Sequence, residues 1–150
     1  MNSDQANIAA ALFADSEAAF VLCNEYAMAQ DEQVTPQFEL LEWGCDLVPG
    51  TAEHMTFYAG IDGIHDFDWA LHPGGRAIID AVAEDLQLSK DQLQASREIY
   101  RTSGNSSSAS VLIVLVRLRL ESKKAHIAAT SFGPGLAIEM ALLRMCQVDE

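Results

Sequence analysis

Two polar side chains in this 150-residue sequence lie where catalytic groups commonly lie. His72 follows a short apolar strand at 68–71 and precedes a Pro-Gly-Gly turn, and Asn105 lies between Gly104 and a run of serines. In α/β folds, active-site side chains often project from loops at strand ends. An imidazole and a carboxamide can both donate hydrogen bonds without adding negative charge. Aimed at one carbonyl oxygen, the pair could therefore stabilise an enolate or an oxyanion.

Structural roles also explain these residues when each is taken alone. The position of His72 alone fits a catalytic residue and a structural histidine at a strand end equally well. An ordinary turn role is favoured for Asn105 alone, because asparagine beside glycine tolerates a positive φ. The catalytic interpretation of Asn105 therefore depends on His72.

The remaining motifs predict little chemistry by themselves. Gly133-Pro134-Gly135 predicts a tight loop between two strands, a pattern found in many turns. No metal site is predicted, because the histidines and carboxylates of one acidic stretch have irregular spacing. That stretch contains His54, Asp62, His65, Asp66 and Asp68.

The three cysteines, Cys23, Cys45 and Cys146, show no CxxC spacing. We interpret them as buried, reduced thiols of a cytosolic protein. None lies at a strand-to-helix turn, where a nucleophile would be presented, so all three are expected to be structural.

Composition limits the function classes. Hydrophobic residues make up 49% and charged residues 21%, which is typical of one globular domain or half of a larger one. The net charge of −13 argues against nucleic acid and membrane partners, and an anionic ligand would need a local basic patch or a helix N-terminus. No membrane span or secretory signal is visible, so a cytoplasmic location is predicted.

The hydrophobic periodicity predicts alternating strands and helices, and hence an α/β fold with a mixed sheet and covering helices. The segment 110–120 is rich in β-branched residues, but the preceding serines and its length favour a buried helix. The predicted strands are 18–23, 38–48, 68–71, 125–132 and 136–145, and the predicted helices are 4–12, 76–86, 89–100 and the segment after the serines.

Three motifs in order resemble those of type III polyketide synthases, the chalcone and stilbene synthase family. They are FDWALHPGG at 67–75, GNSSSA at 104–109 and SFGPGL at 131–136, and their wording is most similar to the fungal branch. ALFADSEAA at 11–19 is similar to the family's ALFGDGAAA, with Ala14 and Ser16 in place of glycines and Glu17 in place of an alanine. Phe13 matches the family's tunnel-gating phenylalanine.

The resemblance implies the C-terminal half of a thiolase-like fold and a homodimeric acyltransferase of polyketide biosynthesis. By motif, His72 and Asn105 hold the malonyl-CoA thioester during decarboxylation, and the enolate then attacks an acyl group on a cysteine. His72 would also lower the pKa of that thiol. Phe13, Gly133, Pro134 and Gly135 would contact substrate. Acyl-CoA and malonyl-CoA are the implied substrates, with no other cofactor and no metal.

The sequence departs from the family in two respects. Residues 1–150 match only the second half, so the nucleophilic cysteine half is absent, and a deletion is apparent near 51–68, where Phe57 could match a second gating residue. A homodimer or a complementary N-terminal half is the expected partner, and the uncovered face predicts self-association. The alternatives are a non-catalytic remnant that binds an intact synthase or has no function, and an unrelated small metal- or ligand-binding domain.

Overall fold

The computed structural model describes residues 11–30, 33–47, 66–133 and 137–146. The elements in chain order are α1 (Glu25–Gln30), β1 (Phe38–Leu47), β2 (Asp68–Leu71), α2 (Arg76–Asp85), α3 (Gln94–Ser103), α4 (Ala109–Glu121), β3 (His126–Gly133) and β4 (Ala137–Met145).

The four strands form one mixed sheet in the order β1-β4-β3-β2. β2 and β3 are parallel, with Leu71 opposite Thr130, whereas β3 and β4 are antiparallel. β4 also pairs antiparallel with β1, and the register shifts between Leu40 and Glu42. The parallel pair places the carboxyl ends of β2 and β3 at the same edge of the sheet.

Helices cover the two faces of β2 because successive strand residues point to opposite sides. Trp69 and Leu71 pack with Ile79 and Val82 of α2 on one face. On the other face, Ala70 packs in a second cluster with residues of α3 and α4. These residues are Ala95, Ile99, Val114 and Leu118. The predicted mixed sheet with covering helices is therefore present.

The outer edge of β2 is covered by the start of α3. The Trp69 N–H donates to the Gln92 carbonyl oxygen at 3.1 Å, and the Leu71 N–H donates to Ser96 Oγ at 3.0 Å. Ser96 Oγ also donates to the Trp69 carbonyl oxygen at 3.2 Å. Buried backbone groups must find partners, and these bonds supply them for a short strand at the edge of the described sheet.

Two helix-start predictions have different outcomes. Ser89 and Gln92 form the reciprocal bonds of a capping box, with the Gln92 N–H donating to Ser89 Oγ and the Ser89 N–H to Gln92 Oε1. These bonds close a turn, however, and the helix predicted to start at Ser89 begins only at Gln94, after Leu93, which makes no side-chain cap bond. The segment after the serines is a helix, as predicted, but Ser108 makes no capping side-chain bond. Instead, Ser110 Oγ accepts the Ser106 N–H at 2.9 Å.

The prediction of a buried strand at 18–23 is wrong. These residues form no strand and are exposed, and Val21 is 91% exposed. A short apolar run becomes a buried strand only where a neighbour covers it, and none of the four strands of the described sheet pairs with this run. The expectation of buried thiols also fails for Cys23 and Cys45, which are exposed, whereas Cys146 is half-buried.

Parts of other predictions lie outside the described residues. Only residues 11 and 12 of the helix predicted at 4–12 are described, and both are helical. Of the stretch 51–68, where a deletion relative to the family is predicted, the structure describes only residues 66–68. Within the described ranges, no helix is long and apolar enough to cross a membrane.

Candidate active site

His72 lies one residue beyond β2, at the carboxyl ends of the two parallel strands. Its N–H donates to the Thr130 carbonyl oxygen at 2.8 Å, which extends the β2–β3 pairing by one residue. Its carbonyl oxygen accepts the Gly74 N–H at 2.8 Å, which closes a tight turn. The side chain is half-buried, and this burial lowers the pKa of the imidazole. The neutral ring is therefore the favoured form at pH 7.

Two neighbours hold the His72 ring. The Phe132 ring meets it edge-on, with the centroids 6.5 Å apart and the planes at 67°. On another side lies Gly74, where a Cβ atom would come within 3.2 Å of His72 Cδ2 and 3.4 Å of Nε2. The imidazole thus packs against a glycine, where any side chain would crowd it.

Asn105 is held in place by its backbone. The Asn105 N–H donates to the Leu12 carbonyl oxygen at 2.9 Å, and the Asn105 carbonyl oxygen accepts the Ala14 N–H at 2.9 Å. Gly104 must be a glycine here, because its φ is 65° and a Cβ would lie 3.1 Å from the Leu12 oxygen. The segment around Phe13 is therefore docked against the Asn105 motif.

The Asn105 side chain, in a residue only 5% exposed, has a defined orientation. Its Nδ2 donates to the Gly74 carbonyl oxygen at 3.1 Å, and its Oδ1 accepts the Ser107 N–H at 2.8 Å. A carboxamide carries two N–H donors, so these bonds with described residues leave one donor for a ligand. Gly74 thus binds the Asn105 side chain and lies beside the His72 ring.

The other predicted site residues fall into three groups. Phe13 pairs with Asn105 and is 57% exposed. Gly133 ends β3 directly after Phe132, at the same edge of the sheet as His72. Pro134, Gly135 and Phe57 lie outside the described residues.

The acidic stretch shows no metal site where it is described. Asp68 accepts a hydrogen bond from Ser122 Oγ at 2.5 Å and lies 3.4 Å from Lys124 Nζ. Within the described ranges, no three or more metal-ligating side chains are grouped. His54, Asp62 and His65 lie outside them.

The arrangement combines a half-buried neutral imidazole with a carboxamide of set orientation, both joined to Gly74. Donors held in advance stabilise negative charge more than mobile ones do, because they need not reorganise as the charge develops. The site is therefore suited to a reaction in which a carbonyl oxygen gains negative charge.

The sequence profile of the C-terminal domain of chalcone and stilbene synthases matches residues 42–147 of this chain. That match covers more than half of the sequence. The chain belongs to the chalcone and stilbene synthase family. The resemblance predicted from the three motifs is confirmed.

A curated relative in this family is type III polyketide synthase pspB from Penicillium soppii. It is 50% identical over 197 residues, an alignment that covers 99% of this chain and 49% of the relative. The chain thus spans about half the length of the curated relative it matches.

Solved structures of the family share the fold. A fungal type III polyketide synthase, ORAS, superposes with a TM-score of 0.65 at 24% identity, over 75% of this chain and 42% of that one. A type III pentaketide synthase from Neurospora crassa gives 0.64 at 23% identity, over 75% and 42% of the two chains. The predicted thiolase-like α/β fold is confirmed.

Sequence reasoning missed three groups that shape the site. They are the Gly74 carbonyl, which holds Asn105, the Ser107 N–H, which sets the amide orientation, and Ser96, which completes β2. The first two are backbone groups, which no residue type reveals. The only signal for Ser96 is its spacing of four from Gln92, which would put both polar residues on one face of the helix predicted at 89–100.

Proposed function

We propose that this chain supplies the malonyl-binding half of a type III polyketide synthase, an acyltransferase that condenses malonyl-CoA with an acyl-CoA starter. The supporting observation is the Asn105 carboxamide, which is oriented by Gly74 and Ser107 beside the turn that carries His72. His72 and Asn105 are the proposed catalytic residues. Phe13, Gly133, Pro134 and Gly135 are the proposed substrate contacts.

The proposed chemistry is a decarboxylation followed by a carbon–carbon bond formation. The malonyl thioester oxygen accepts hydrogen bonds from the His72 imidazole and the free Asn105 N–H. The bond to the carboxylate carbon breaks, carbon dioxide leaves, and the electron pair forms an enolate whose oxygen these donors stabilise. The enolate carbon then attacks the carbonyl of an acyl-cysteine, and the thiolate leaves.

The burial of His72 suits this role. A lowered pKa keeps the ring neutral, so it can donate a hydrogen bond without a permanent positive charge. The expected lowering of the cysteine thiol's pKa needs a ring that has taken up the thiol's proton, so it belongs to the separate step in which the cysteine is acylated. A charged ring would also stabilise the malonate carboxylate that must leave, which favours the ground state. A neutral donor acts mainly on the charge that develops in the transition state.

The proposed reaction needs a cysteine from another polypeptide segment. Cys23 is exposed in a coil, and Cys45 is exposed on β1, which lies at the opposite side of the described sheet from β2. A complementary half is therefore the proposed source of the cysteine, and a second copy is the proposed partner in a homodimer. Exposed apolar side chains fit such a partner, and they are Phe20, Val21, Leu22, Leu40, Leu41 and Trp43.

A non-catalytic remnant is the second candidate function. The alignment with the Penicillium soppii relative runs over 197 residues, although this chain has 150. This difference supports an internal shortening such as the one predicted near 51–68. A shortened pocket wall would leave a chain that binds a synthase partner but forms no product.

Reconstitution separates the two candidates. The chain is mixed with the half of the Penicillium soppii relative that lies outside the match, and carbon dioxide release from malonyl-CoA is measured. We expect His72→Ala to reduce the rate at least 100-fold, since one oriented donor contributes roughly 10²–10³ in rate. His126→Ala is the matched control, because His126 begins β3 at the end of the strand opposite Gly133.

Two results would count against catalysis. A complex that forms without decarboxylation favours the remnant. Equal rates for the natural chain and His72→Ala exclude the proposed role of His72.

A further inference from the structure

We propose that Gly74 is a positioning residue that sets the orientations of both His72 and Asn105. This inference rests on the proposed function, in which those two side chains bind the thioester. Gly74 itself touches no substrate in the proposal. It acts through its carbonyl oxygen on one side chain and through its lack of a side chain on the other.

The carbonyl oxygen of Gly74 determines where the Asn105 donor points. It accepts a hydrogen bond from Nδ2 at 3.1 Å, while the Ser107 N–H binds Oδ1 at 2.8 Å. Both ends of the amide are engaged. A flip of the amide would therefore set Oδ1 against the Gly74 oxygen, two acceptors, and Nδ2 against the Ser107 N–H, two donors. The free N–H therefore has one direction, which depends on where the Gly74 carbonyl lies.

The missing side chain of Gly74 determines where the His72 ring lies. A Cβ there would lie 3.2 Å from His72 Cδ2 and 2.9 Å from Ile78 Cδ1, both closer than carbon atoms comfortably approach, and 3.4 Å from His72 Nε2. The backbone of Gly74 is not in the left-handed region, which among the described glycines only Gly104 occupies. The requirement for glycine at this position is thus the space beside the His72 ring and the Ile78 side chain.

The next glycine provides a matched control. At Gly75 a Cβ would meet only Leu12 Cδ1, at 4.0 Å, and the backbone is extended. Gly75→Ala therefore adds the same methyl group to the same turn without crowding His72.

The test is NMR spectroscopy of the full 150-residue chain, labelled with 15N and 13C. In Gly74→Ala, we expect shifts of the His72 ring proton signals and of the Asn105 side-chain amide pair. Gly75→Ala should leave both sets of signals in place. The double variant Gly74→Ala/Ile78→Val removes the Cδ1 contact, and we expect the shifts to persist because the ring contact remains.

The natural chain gives a second measurement that needs no variant to fold. A scalar coupling through the hydrogen bond should join Asn105 Nδ2 to the Gly74 carbonyl carbon. Absence of this coupling overturns the proposal. It is also overturned if Gly74→Ala leaves the His72 and Asn105 signals unmoved, or if Gly75→Ala moves them as much.

Kinetics of the reconstituted mixture distinguish this inference from the proposed function. We expect Gly74→Ala to lower kcat for decarboxylation at least tenfold with little change in KM, and Gly75→Ala to lower neither. If His72→Ala leaves the rate unchanged while the NMR shifts occur, the proposed function fails and the positioning role of Gly74 stands. If His72→Ala abolishes the rate but Gly74→Ala changes neither kcat nor the signals, only the positioning role fails.

Discussion

Asn105 Nδ2 donates a hydrogen bond to the carbonyl oxygen of Gly74 at 3.1 Å, across 31 residues of sequence. This bond joins the turn after β2 to the residues that precede α4. Two motifs that are separate in the sequence thereby form one site. The predictions below address this site and the elements that hold it.

Asn105→Asp should destabilise the chain by about 1–3 kcal/mol, because a carboxylate oxygen would face the Gly74 oxygen with no proton between them. Urea unfolding at pH 7 measures the change. Asn24→Asp is the matched control. Asn24 Oδ1 accepts the Ala27 N–H at the start of α1, and an aspartate caps equally well. Equal stabilities of Asn105→Asp and the natural chain would show that the amide is not held as described.

Ser96→Ala should lower the free energy of unfolding by about 1–3 kcal/mol, because it leaves the buried Leu71 N–H without its partner. Denaturant unfolding gives the value. Ser103→Ala, at the half-exposed end of the same helix, should change stability by less than about 0.5 kcal/mol. A loss no larger for Ser96→Ala than for this control would rule out the proposed closure of the β2 edge.

The stability of the chain should fall as the pH drops below the ordinary histidine pKa of 6.5. Burial lowers the pKa of His72 in the folded state, so the unfolded chain takes up a proton there first. The contribution of the neutral His72 to the free energy of unfolding is complete above pH 6.5 and is lost as the pH falls toward the lower pKa of the folded state. Free energies of unfolding between pH 5 and 8 test this. His72→Gln should flatten the dependence, and an identical slope in both chains would contradict the assignment.

Thr130→Val should stabilise the chain. Thr130 Oγ1 is buried and makes no hydrogen bond within the described residues, and an unpaired buried hydroxyl costs roughly 1–3 kcal/mol. Valine keeps the shape and removes that cost. Thr130→Ser is the matched control, because it keeps the hydroxyl and loses a methyl group, and it should destabilise by about 1 kcal/mol. A valine variant less stable than the natural chain would mean that the hydroxyl has a partner.

The apolar surface of β1 should cause self-association. Leu40 and Leu41 are exposed on that strand, and Trp43 is 64% exposed. Analytical ultracentrifugation should show oligomers of the natural chain and a shift toward monomer for Leu40→Lys/Leu41→Lys. Val116→Lys on α4, where Val116 and Leu120 are exposed away from β1, should leave the distribution unchanged. A monomeric natural chain would contradict this expectation.

Much of the fold follows from local signals. The strand at 68–71, the helix after the Pro-Gly-Gly turn and the strands on either side of Gly-Pro-Gly match the sequence periodicity because each depends on neighbours a few residues away. The Ser89–Gln92 hydrogen bonds are equally local, although the helix predicted to start there begins only at Gln94. The strand predicted at 18–23 is absent, because an apolar run is buried only where another element covers it.

The sequence by itself determined the family and named the two candidate catalytic side chains, since motif residues and their order survive without coordinates. Only the tertiary structure decided how those side chains are held. The Asn105 orientation depends on a backbone oxygen 31 residues away, and the β2 edge depends on a hydroxyl 25 residues beyond Leu71. Such contacts join polar groups distant in sequence, and no residue pattern encodes them, because the chain must fold before the partners meet.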